Sequence, residues 1–431
     1  MSTEAQESKM TARHVLLIIS GIMLTFGCSA LTFSTWTNFQ PVVSEAMGQF
    51  TADGALNTAP FALYITFLYL TMTVASPIAG TLIQKFDIRI ILTVSALCVG
   101  VAFFGMSMYT EIWQFYISGV LLGLGQISIL WLAIPTLMNR WFNKRAGFFI
   151  GICMAMTGVG GAIWNALFTA LNTGGMPYQT IYMIWGIIAL VTSLPFTLFC
   201  LRSTPQECGL QPYGAQVQAD GQTEKPLGMS ASDAMKNPLF YVVFIYAGLI
   251  NLLTIIAPQF PSYMRSLGAA GEVVYDVAIV GGIMSVVVMI AQAISKIAMG
   301  GFADKNARTT IIIAFGAGVV GILLVWFGAQ QEMMLYAGAS IYGFFFARAV
   351  VLCPIVVRQI FGTREYSAIY SRVAVFINLM GAVGATIWAF LGSNFGYSTV
   401  FIVGLIVQAI VLALGLYAFA NIKKAKEKWS A

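Results

Sequence analysis

The chain contains twelve apolar stretches, each long enough to cross a bilayer as a helix. They fall at 14–37, 57–83, 88–109, 112–139, 146–171, 180–201, 239–264, 274–300, 309–329, 333–358, 367–391 and 398–421. A transmembrane helix needs about 20 mostly apolar residues, and these stretches lack the strict alternation of barrel strands. Because backbone groups in hydrocarbon must be satisfied within the segment, the pattern predicts an all-α integral membrane protein.

The composition supports this interpretation and excludes several classes of protein. Charged residues form only 9% of the 431 residues and hydrophobic residues form 59%, whereas soluble domains carry about 25% charged residues. The chain has no phosphate-binding Gly-Lys-Ser/Thr loop and no nucleophile–base pattern, and its six cysteines are scattered. We therefore expect a monomeric protein in the lipid bilayer that is not an enzyme and takes no cofactor, metal or nucleic acid.

The basic residues predict the orientation in the membrane. If the N-terminus is cytoplasmic, 18 of the 22 Lys and Arg residues fall in cytoplasmic loops and tails, as the positive-inside rule requires. Both termini then lie inside, in the cell (inner or plasma) membrane. The predicted organisation is a tail at 1–13, a six-helix bundle at 14–201, a cytoplasmic linker at 202–237, a second bundle at 238–421 and a tail at 422–431.

The two predicted bundles carry similar charged loops at corresponding places. The loops after the second and eighth spans carry Gly80, Lys85, Asp87 and Arg89 in one half, and Gly300, Asp304, Lys305 and Arg308 in the other. The loops after the fourth and tenth spans carry Arg140, Lys144 and Arg145, and Arg358 and Arg364. This correspondence indicates two parallel repeats, which place a solute site between the halves near the membrane midplane.

The segment from Gly80 to Arg89 resembles the signature loop of the major facilitator superfamily, and the resemblance extends over nearly the whole chain. Gln84 stands where that family usually has an acid, and Asp87 stands where it has a later glycine. The second copy keeps its acid, Asp304. The resemblance implies two pseudo-symmetric six-helix bundles and secondary transport by alternating access.

Within that superfamily the chain is most similar to the monocarboxylate porters and the related oxalate/formate antiporters. The similarity rests on residues 139–145, Phe33–Trp36 with Pro41, residues 205–212, and Lys296, eight residues before Asp304. It implies that Lys296 contacts the substrate and that Arg372 replaces a lysine of the antiporter branch. Gln292 stands where animal monocarboxylate transporters have an acid, which favours anion exchange, or a proton carried by the solute, over an acid-relay symport.

Three basic residues remain inside the predicted spans: Lys296, Arg348 and Arg372. A charge in hydrocarbon is costly, so each should face a cavity or a partner, although long side chains near helix ends can also reach the membrane surface. The acids fall in loops, tails or helix ends, so none lies deep in a span. A positively charged cavity without an internal counter-ion predicts an organic anion as the solute.

Aromatic and polar residues in the spans are further candidates for the substrate site. They are Trp131, Phe346, Trp36, Tyr342 and Gln126. Ordinary helix packing, interfacial anchoring and interhelical hydrogen bonding are the alternative roles for such residues.

Two other functions remain open at this stage. The many Phe and Met residues would also suit an exporter of larger amphipathic or aromatic acids, or of drugs. A membrane sensor that binds a solute without moving it is the alternative of a different class, but the short predicted tails leave little room for an output domain.

Overall fold

The computed structural model describes residues 7–51, 56–215 and 227–429, and the regular structure in these ranges is helical throughout. The helices are α1 Ala12–Ser34, α2 Ala59–Lys85, α3 Ile88–Met106, α4 Ile112–Trp141, α5 Ala146–Thr173, α6 Tyr178–Cys200, α7 Pro238–Ala269, α8 277–305, α9 307–327, α10 Glu332–Phe361, α11 Tyr366–Phe395 and α12 Tyr397–Ala420. With α8 and α9 counted as one stretch, the described residues hold eleven stretches long and apolar enough to cross a membrane, so the predicted all-α membrane fold is confirmed.

Two of the predicted spans follow one another with almost no loop. At Asn306 the φ of −154° and ψ of 92° are not helical, and the chain turns back there. The Tyr275 hydroxyl before α8 donates to the Ala329 carbonyl after α9 at 2.6 Å, so the two helices are antiparallel. The break at Asn306 separates α8 from α9 at the charged loop that the sequence predicts. The first span also departs from the prediction. After Ser34 the chain continues as a further helix, Trp36–Ala46, beyond the predicted end at residue 37.

Polar residues mark the ends of the helices. The carboxylate of Asp87 accepts a hydrogen bond from the Arg89 amide at 2.9 Å and so caps the N-terminus of α3. Asn237 does the same for α7, where its side chain accepts from the Leu239 amide at 3.1 Å. These caps satisfy backbone donors that the first turn of a helix leaves free.

The main contacts between the first six helices and the last six are α5 against α8 and α2 against α11. We call the end of the molecule that carries the loops α2–α3, α4–α5, α8–α9 and α10–α11 the cytoplasmic end, following the charge prediction. Gly147 of α5 and Gly300 of α8 touch there. A Cβ atom placed on Gly300 would lie 2.2 Å from the Gly147 carbonyl oxygen, so only small residues allow the two backbones to come this close.

Hydrogen bonds between the halves seal the cytoplasmic end. The Ser76 hydroxyl of α2 donates to the Ser371 carbonyl of α11 at 2.6 Å, and the Ser367 hydroxyl donates to the Gly80 carbonyl at 3.2 Å. Farther from the cytoplasmic end, the middle of α2 still contacts α11, since a Cβ atom placed on Gly381 would lie 2.7 Å from the Tyr69 ring. In this conformation the route from the membrane midplane to the cytoplasm is therefore closed.

The linker is attached to both halves. The Tyr213 amide donates to the Trp141 carbonyl at 2.8 Å, and the Met229 amide donates to the Phe361 carbonyl at 2.8 Å. Each end of the linker thus rests on the bundle next to it. Of the predicted linker and tails, residues 216–226, 1–6 and 430–431 lie outside the described ranges.

Candidate solute-binding site

Lys296 is buried in α8 and reaches across to the first bundle. Its side chain is part of a residue only 4% exposed, and its Nζ donates to the Thr157 hydroxyl of α5 at 2.7 Å and to the Gln292 side-chain oxygen at 3.1 Å. The Thr157 hydroxyl in turn donates a hydrogen bond to the Met154 carbonyl at 2.8 Å. The ammonium is thus held between the bundles by two neutral oxygens.

Arg348 in α10 is completely buried and has no ordinary partner. Its Nε, Nη1 and Nη2 atoms make no hydrogen bond to any part of the chain that the structure describes. The guanidinium carbon lies 4.8 Å from the centre of the Phe345 ring, and the neutral phenol of Tyr246 lies beside the guanidinium and interacts with it. A buried cation whose neighbours carry no counter-charge is costly, so this position is suited to an anion.

Trp131 of α4 and Arg348 of α10 lie in segments with π-helical hydrogen bonding. These segments are Ile127–Ala133, which contains Trp131, and Arg348–Leu352. They occupy corresponding positions in the two repeats, and each packs against the opposite bundle, the first on α11 and the second on α5. The indole Nε1 of Trp131, like Arg348, is buried without a hydrogen-bond partner among the described residues. Single π-helical turns inside α-helices occur frequently at functional sites.

The sequence interpretation missed these π-helical segments. The signal in the sequence was a proline just after each of them, Pro135 and Pro354. Proline removes a backbone donor and disturbs the regular ladder of the preceding turn, so prolines at corresponding places in two repeats indicated irregular helices there.

Lys296 and Arg348 lie at a similar depth in the membrane. A Cβ atom placed on Gly343 of α10 would lie 3.4 Å from the Gln292 amide of α8, which fixes these two residues at one level. Both helices run toward the cytoplasmic end, and Lys296 follows four residues after Gln292 while Arg348 follows five after Gly343. With a rise of about 1.5 Å per residue, the two cations are displaced by nearly equal amounts from that level.

Arg372, the third cation, is placed differently. It is half-buried, and its Nη1 donates to the Ala368 carbonyl of its own helix at 2.7 Å, one turn closer to the cytoplasmic end. This geometry matches the alternative in which the side chain extends toward the membrane surface. The structure therefore does not join Arg372 to Lys296 or Arg348 through any described hydrogen bond.

Two other candidates are engaged in helix packing. The Gln126 amide of α4 is bound to α1 on both sides, because it accepts from the Ser29 hydroxyl at 2.9 Å and donates to the Thr32 hydroxyl at 2.8 Å. The Tyr342 hydroxyl donates to the Leu253 carbonyl of α7. Trp36 and Phe346 are half-buried. Interhelical bonding accounts for the positions of Gln126 and Tyr342, and their part in solute binding stays a prediction.

The first signature loop is held by a local ion pair. The Arg89 guanidinium pairs with the Asp87 carboxylate, which also accepts from the Ser203 hydroxyl at 2.8 Å. Burial raises the pKa of Asp87, but the hydrogen bonds from Arg89 and Ser203 outweigh it and hold the pKa at about 2. Lys85 is exposed, and Arg140 donates from Nη2 to the Ile83 carbonyl near the end of α2 at 3.2 Å.

The second signature loop joins the two halves. The Asp304 carboxylate accepts from the backbone amides of Gly147 and Phe148, both at 2.8 Å, at the N-terminus of α5. A negative charge is stabilised at this end of a helix. Arg145 precedes α5 in a left-handed conformation with φ of 58°, and Lys305 is exposed. Asp304 thus fastens the second bundle to the first at the cytoplasmic end.

Comparisons with known proteins agree with this architecture. The family model described as Major Facilitator Superfamily matches residues 25–290 and 254–430. Among curated proteins, the multidrug resistance protein MdtG of Escherichia coli O6:K15:H31 (strain 536 / UPEC) is 25% identical over 414 residues, covering 94% of this chain and 95% of that protein. MdtG of Escherichia coli strain K12 / DH10B is similar to the same extent, 25% over 414 residues.

Among solved structures, the chain is similar to the human organic anion transporter MFSD10 (TETRAN). The TM-score is 0.64 at 16% sequence identity, and the match covers 94% of this chain and 99% of that one. At this level of identity the similarity concerns the fold.

Proposed function

The chain belongs to the Major Facilitator Superfamily, and we propose that it is a secondary transporter of small organic anions that works by alternating access. It is a multi-pass membrane transporter and not an enzyme. The proposed solutes are monocarboxylates or short dicarboxylates, as in the monocarboxylate porters and oxalate/formate antiporters that the sequence resembles.

The observation that carries this proposal is the buried guanidinium of Arg348. It lies in the half-way region of α10 without a hydrogen-bond partner among the described residues, and no acid of the sequence lies deep in a span to neutralise it. A carboxylate supplies both the missing charge and the missing acceptors, because its two oxygens fit the guanidinium fork.

Lys296 supports the same proposal from the other side of the interface. Its ammonium bridges α8 and α5 through the neutral oxygens of Gln292 and Thr157, which are weaker partners than a carboxylate would be. A bound anion therefore competes with Thr157 for the ammonium. Since Thr157 belongs to the first bundle and Lys296 to the second, this competition connects solute binding to the contact between the halves.

We further propose that the transporter exchanges one anion for another. Gln292, the immediate neighbour of Lys296, cannot bind or release a proton near neutral pH. A second anion entering from the opposite side would instead stabilise the cationic site during the return step.

A second candidate function is export of larger amphipathic acids or drugs. The observation that favours it is the similarity to MdtG, which is named a multidrug resistance protein and matches 94% of this chain. The Phe345 ring beside Arg348 would suit a larger apolar solute.

The test is uptake of labelled acids into proteoliposomes, with a panel that runs from acetate and oxalate to aromatic acids and a cationic drug. Removing one charged hydrogen bond to the solute costs about 1.5–3 kcal/mol, so Arg348→Gln and Lys296→Gln should each weaken solute affinity roughly 10- to 150-fold. Arg265→Gln, which removes an exposed charge at the end of α7, is the matched control. Unchanged affinity in Arg348→Gln would refute the anion site, and transport confined to the drug would favour the second function.

A further inference from the structure

A cavity lies at the cytoplasmic end, between the seal that joins the halves and the cytoplasm. It has a volume of about 990 Å³. Its walls come from the ends of α2 and α4, the linker, the α10–α11 loop and the C-terminal segment that carries Lys426 and Trp429. The contacts Arg358–Asn139 and Ser367–Gly80 form part of its boundary. The cavity is therefore distinct from the region of Lys296 and Arg348, neither of which lines it.

Two arginines from corresponding loops of the two repeats line this cavity. Arg140 belongs to the first bundle and gives one hydrogen bond, to the Ile83 carbonyl. Arg358 belongs to the second bundle and gives one, to the Asn139 side-chain oxygen at 3.1 Å. A guanidinium has five N–H donors. Most donors of both side chains therefore make no hydrogen bond to the described residues and can bind another acceptor.

The acids of the cavity wall do not balance these arginines. Asp87 is paired with Arg89, and Glu207 accepts from the backbone amides of Ser203 and Thr204, at 3.3 and 3.1 Å. Lys426 adds a further positive charge to the wall. Glu207 lies within range of the Arg140 charge, but among the described residues the wall carries more basic than acidic side chains, and the basic ones come from both halves of the protein.

Two unsatisfied polar atoms lie within the same wall. The Asn139 side chain is 7% exposed and Thr136 is 2% exposed, and both line the cavity. The Asn139 Nδ2 atom and the Thr136 hydroxyl have no hydrogen-bond partner among the described residues. Buried polar atoms of this kind are normally satisfied. Both atoms lie beneath the surface of the wall in this conformation, so the two guanidinium groups are the direct contacts for a ligand.

We propose that this cavity binds a multivalent phosphate group and thereby stabilises the conformation that is closed to the cytoplasm. Arginine is the side chain best suited to bidentate phosphate binding, and two arginines on opposite halves can be joined by one multivalent anion. The volume exceeds the needs of a short carboxylate and leaves room for the remainder of a metabolite or for a phospholipid headgroup. The proposal does not depend on which solute the central site takes.

The regulatory effect follows from linkage. The two arginines belong to different bundles, so the site is complete only while the cytoplasmic ends are together. A ligand that binds only this state multiplies the ratio of closed to open molecules by one plus its concentration divided by Kd. At ten times Kd, the ratio rises about 11-fold. Phosphate on the cytoplasmic side should therefore slow the step in which the transporter opens to the cytoplasm.

The experiment is calorimetric titration of the purified full-length protein with inorganic pyrophosphate. We expect binding that weakens at least tenfold in Arg140→Gln/Arg358→Gln, whereas Lys423→Gln/Lys424→Gln, a matched removal of two exposed charges outside the cavity wall, should bind normally. The Arg348→Gln protein, which loses no described hydrogen bond between the halves, should also bind pyrophosphate normally, and this separates the proposal from the proposed anion transport.

A second measurement uses the unaltered protein, in case the arginine variants do not fold. Pyrophosphate should protect Arg140 and Arg358 from phenylglyoxal, as read by peptide mapping, and should leave the modification of Arg265 unchanged. A parallel arm replaces pyrophosphate with a short-chain phosphatidic acid. Protection by pyrophosphate assigns a soluble phosphate, and protection by the lipid alone assigns a headgroup. Protection by neither, or pyrophosphate binding that the cavity variants do not alter, overturns the proposal.

Discussion

The contact between α5 and α8 offers a direct test of the closed cytoplasmic end, through the substitution Gly151→Ala. A Cβ atom at this position would lie 2.1 Å from the Lys296 carbonyl oxygen and 2.9 Å from its carbonyl carbon. Both are backbone atoms, so no side-chain rotation relieves the overlap. Reaching an ordinary contact of 3.4 Å requires the helices to separate by about 1.3 Å at this level.

Such a separation breaks the neighbouring bonds between the halves. The two hydrogen bonds from the Gly147 and Phe148 amides to the Asp304 carboxylate are 2.8 Å long. An increase of about 1.3 Å takes them beyond hydrogen-bond distance. At about 1.5 kcal/mol for each charged hydrogen bond, the closed state loses about 3 kcal/mol, or roughly 100-fold in its population relative to the open state. Gly151→Ala should therefore favour the conformation open to the cytoplasm.

The assay is the rate of N-ethylmaleimide labelling of a Ser76→Cys reporter in a protein whose native cysteines are replaced. Ser76 is completely buried at the contact between α2 and α11, so labelling reports on opening of the cytoplasmic end. Gly282→Ala is the matched control, because a Cβ atom on this residue of α8 meets nothing within 4 Å. An equal labelling rate in the two alanine variants, at normal amounts of protein in the membrane, would refute the reasoning.

Two further predictions concern single bonds across the interface. Thr157→Val removes the neutral competitor for the Lys296 ammonium, so solute should bind more tightly, by up to about tenfold for one hydrogen bond of about 1.4 kcal/mol; calorimetry that shows weaker binding would contradict the competition. Asp304→Asn keeps an acceptor at the N-terminus of α5 but removes its charge, which costs about 0.3–1 kcal/mol. Labelling of the Ser76→Cys reporter should then rise about two- to fivefold, and no rise would show that the charge does not hold the end closed.

The membrane fold could be predicted from the sequence because helix length in a bilayer is set by hydrophobic length. The second predicted span, 57–83, differs from the observed α2, Ala59–Lys85, by two residues at each end. The helix after Ser34 was not predicted, because Asn38 and Gln40 interrupt the apolar pattern and Pro41 usually ends a helix. In the structure Asn38 donates to the Asn165 side chain of α5 at 2.8 Å, so tertiary contact supports a helix that the local pattern does not.

The candidate site could be predicted only in part. The absence of deep acids identified Lys296 and Arg348 as unusual residues, because charge in a span is visible in the sequence. Their surroundings are tertiary: Thr157 lies 139 positions before Lys296 along the chain, and no pattern in a single sequence connects them. Pro354 indicated an irregular helix near Arg348, but the packing of this π-helical turn against α5 is tertiary as well.

The coupling mechanism can be tested at the neighbour of Lys296. The Gln292 side-chain oxygen lies 3.1 Å from the ammonium, so Gln292→Glu places a carboxylate beside it with little change in shape. At neutral pH the new carboxylate would form an ion pair with the Lys296 ammonium and block binding of the solute there. Protonation of the carboxylate would break the ion pair and free the ammonium. Transport by this variant should become slow at neutral pH and rise as the pH falls, whereas the parent protein should respond mainly to an internal exchangeable anion. Uptake into proteoliposomes with and without a pH gradient and internal oxalate measures both. Strong uptake by the parent protein that is driven by the pH gradient alone, with no effect of internal anion, would show that exchange is not the mechanism.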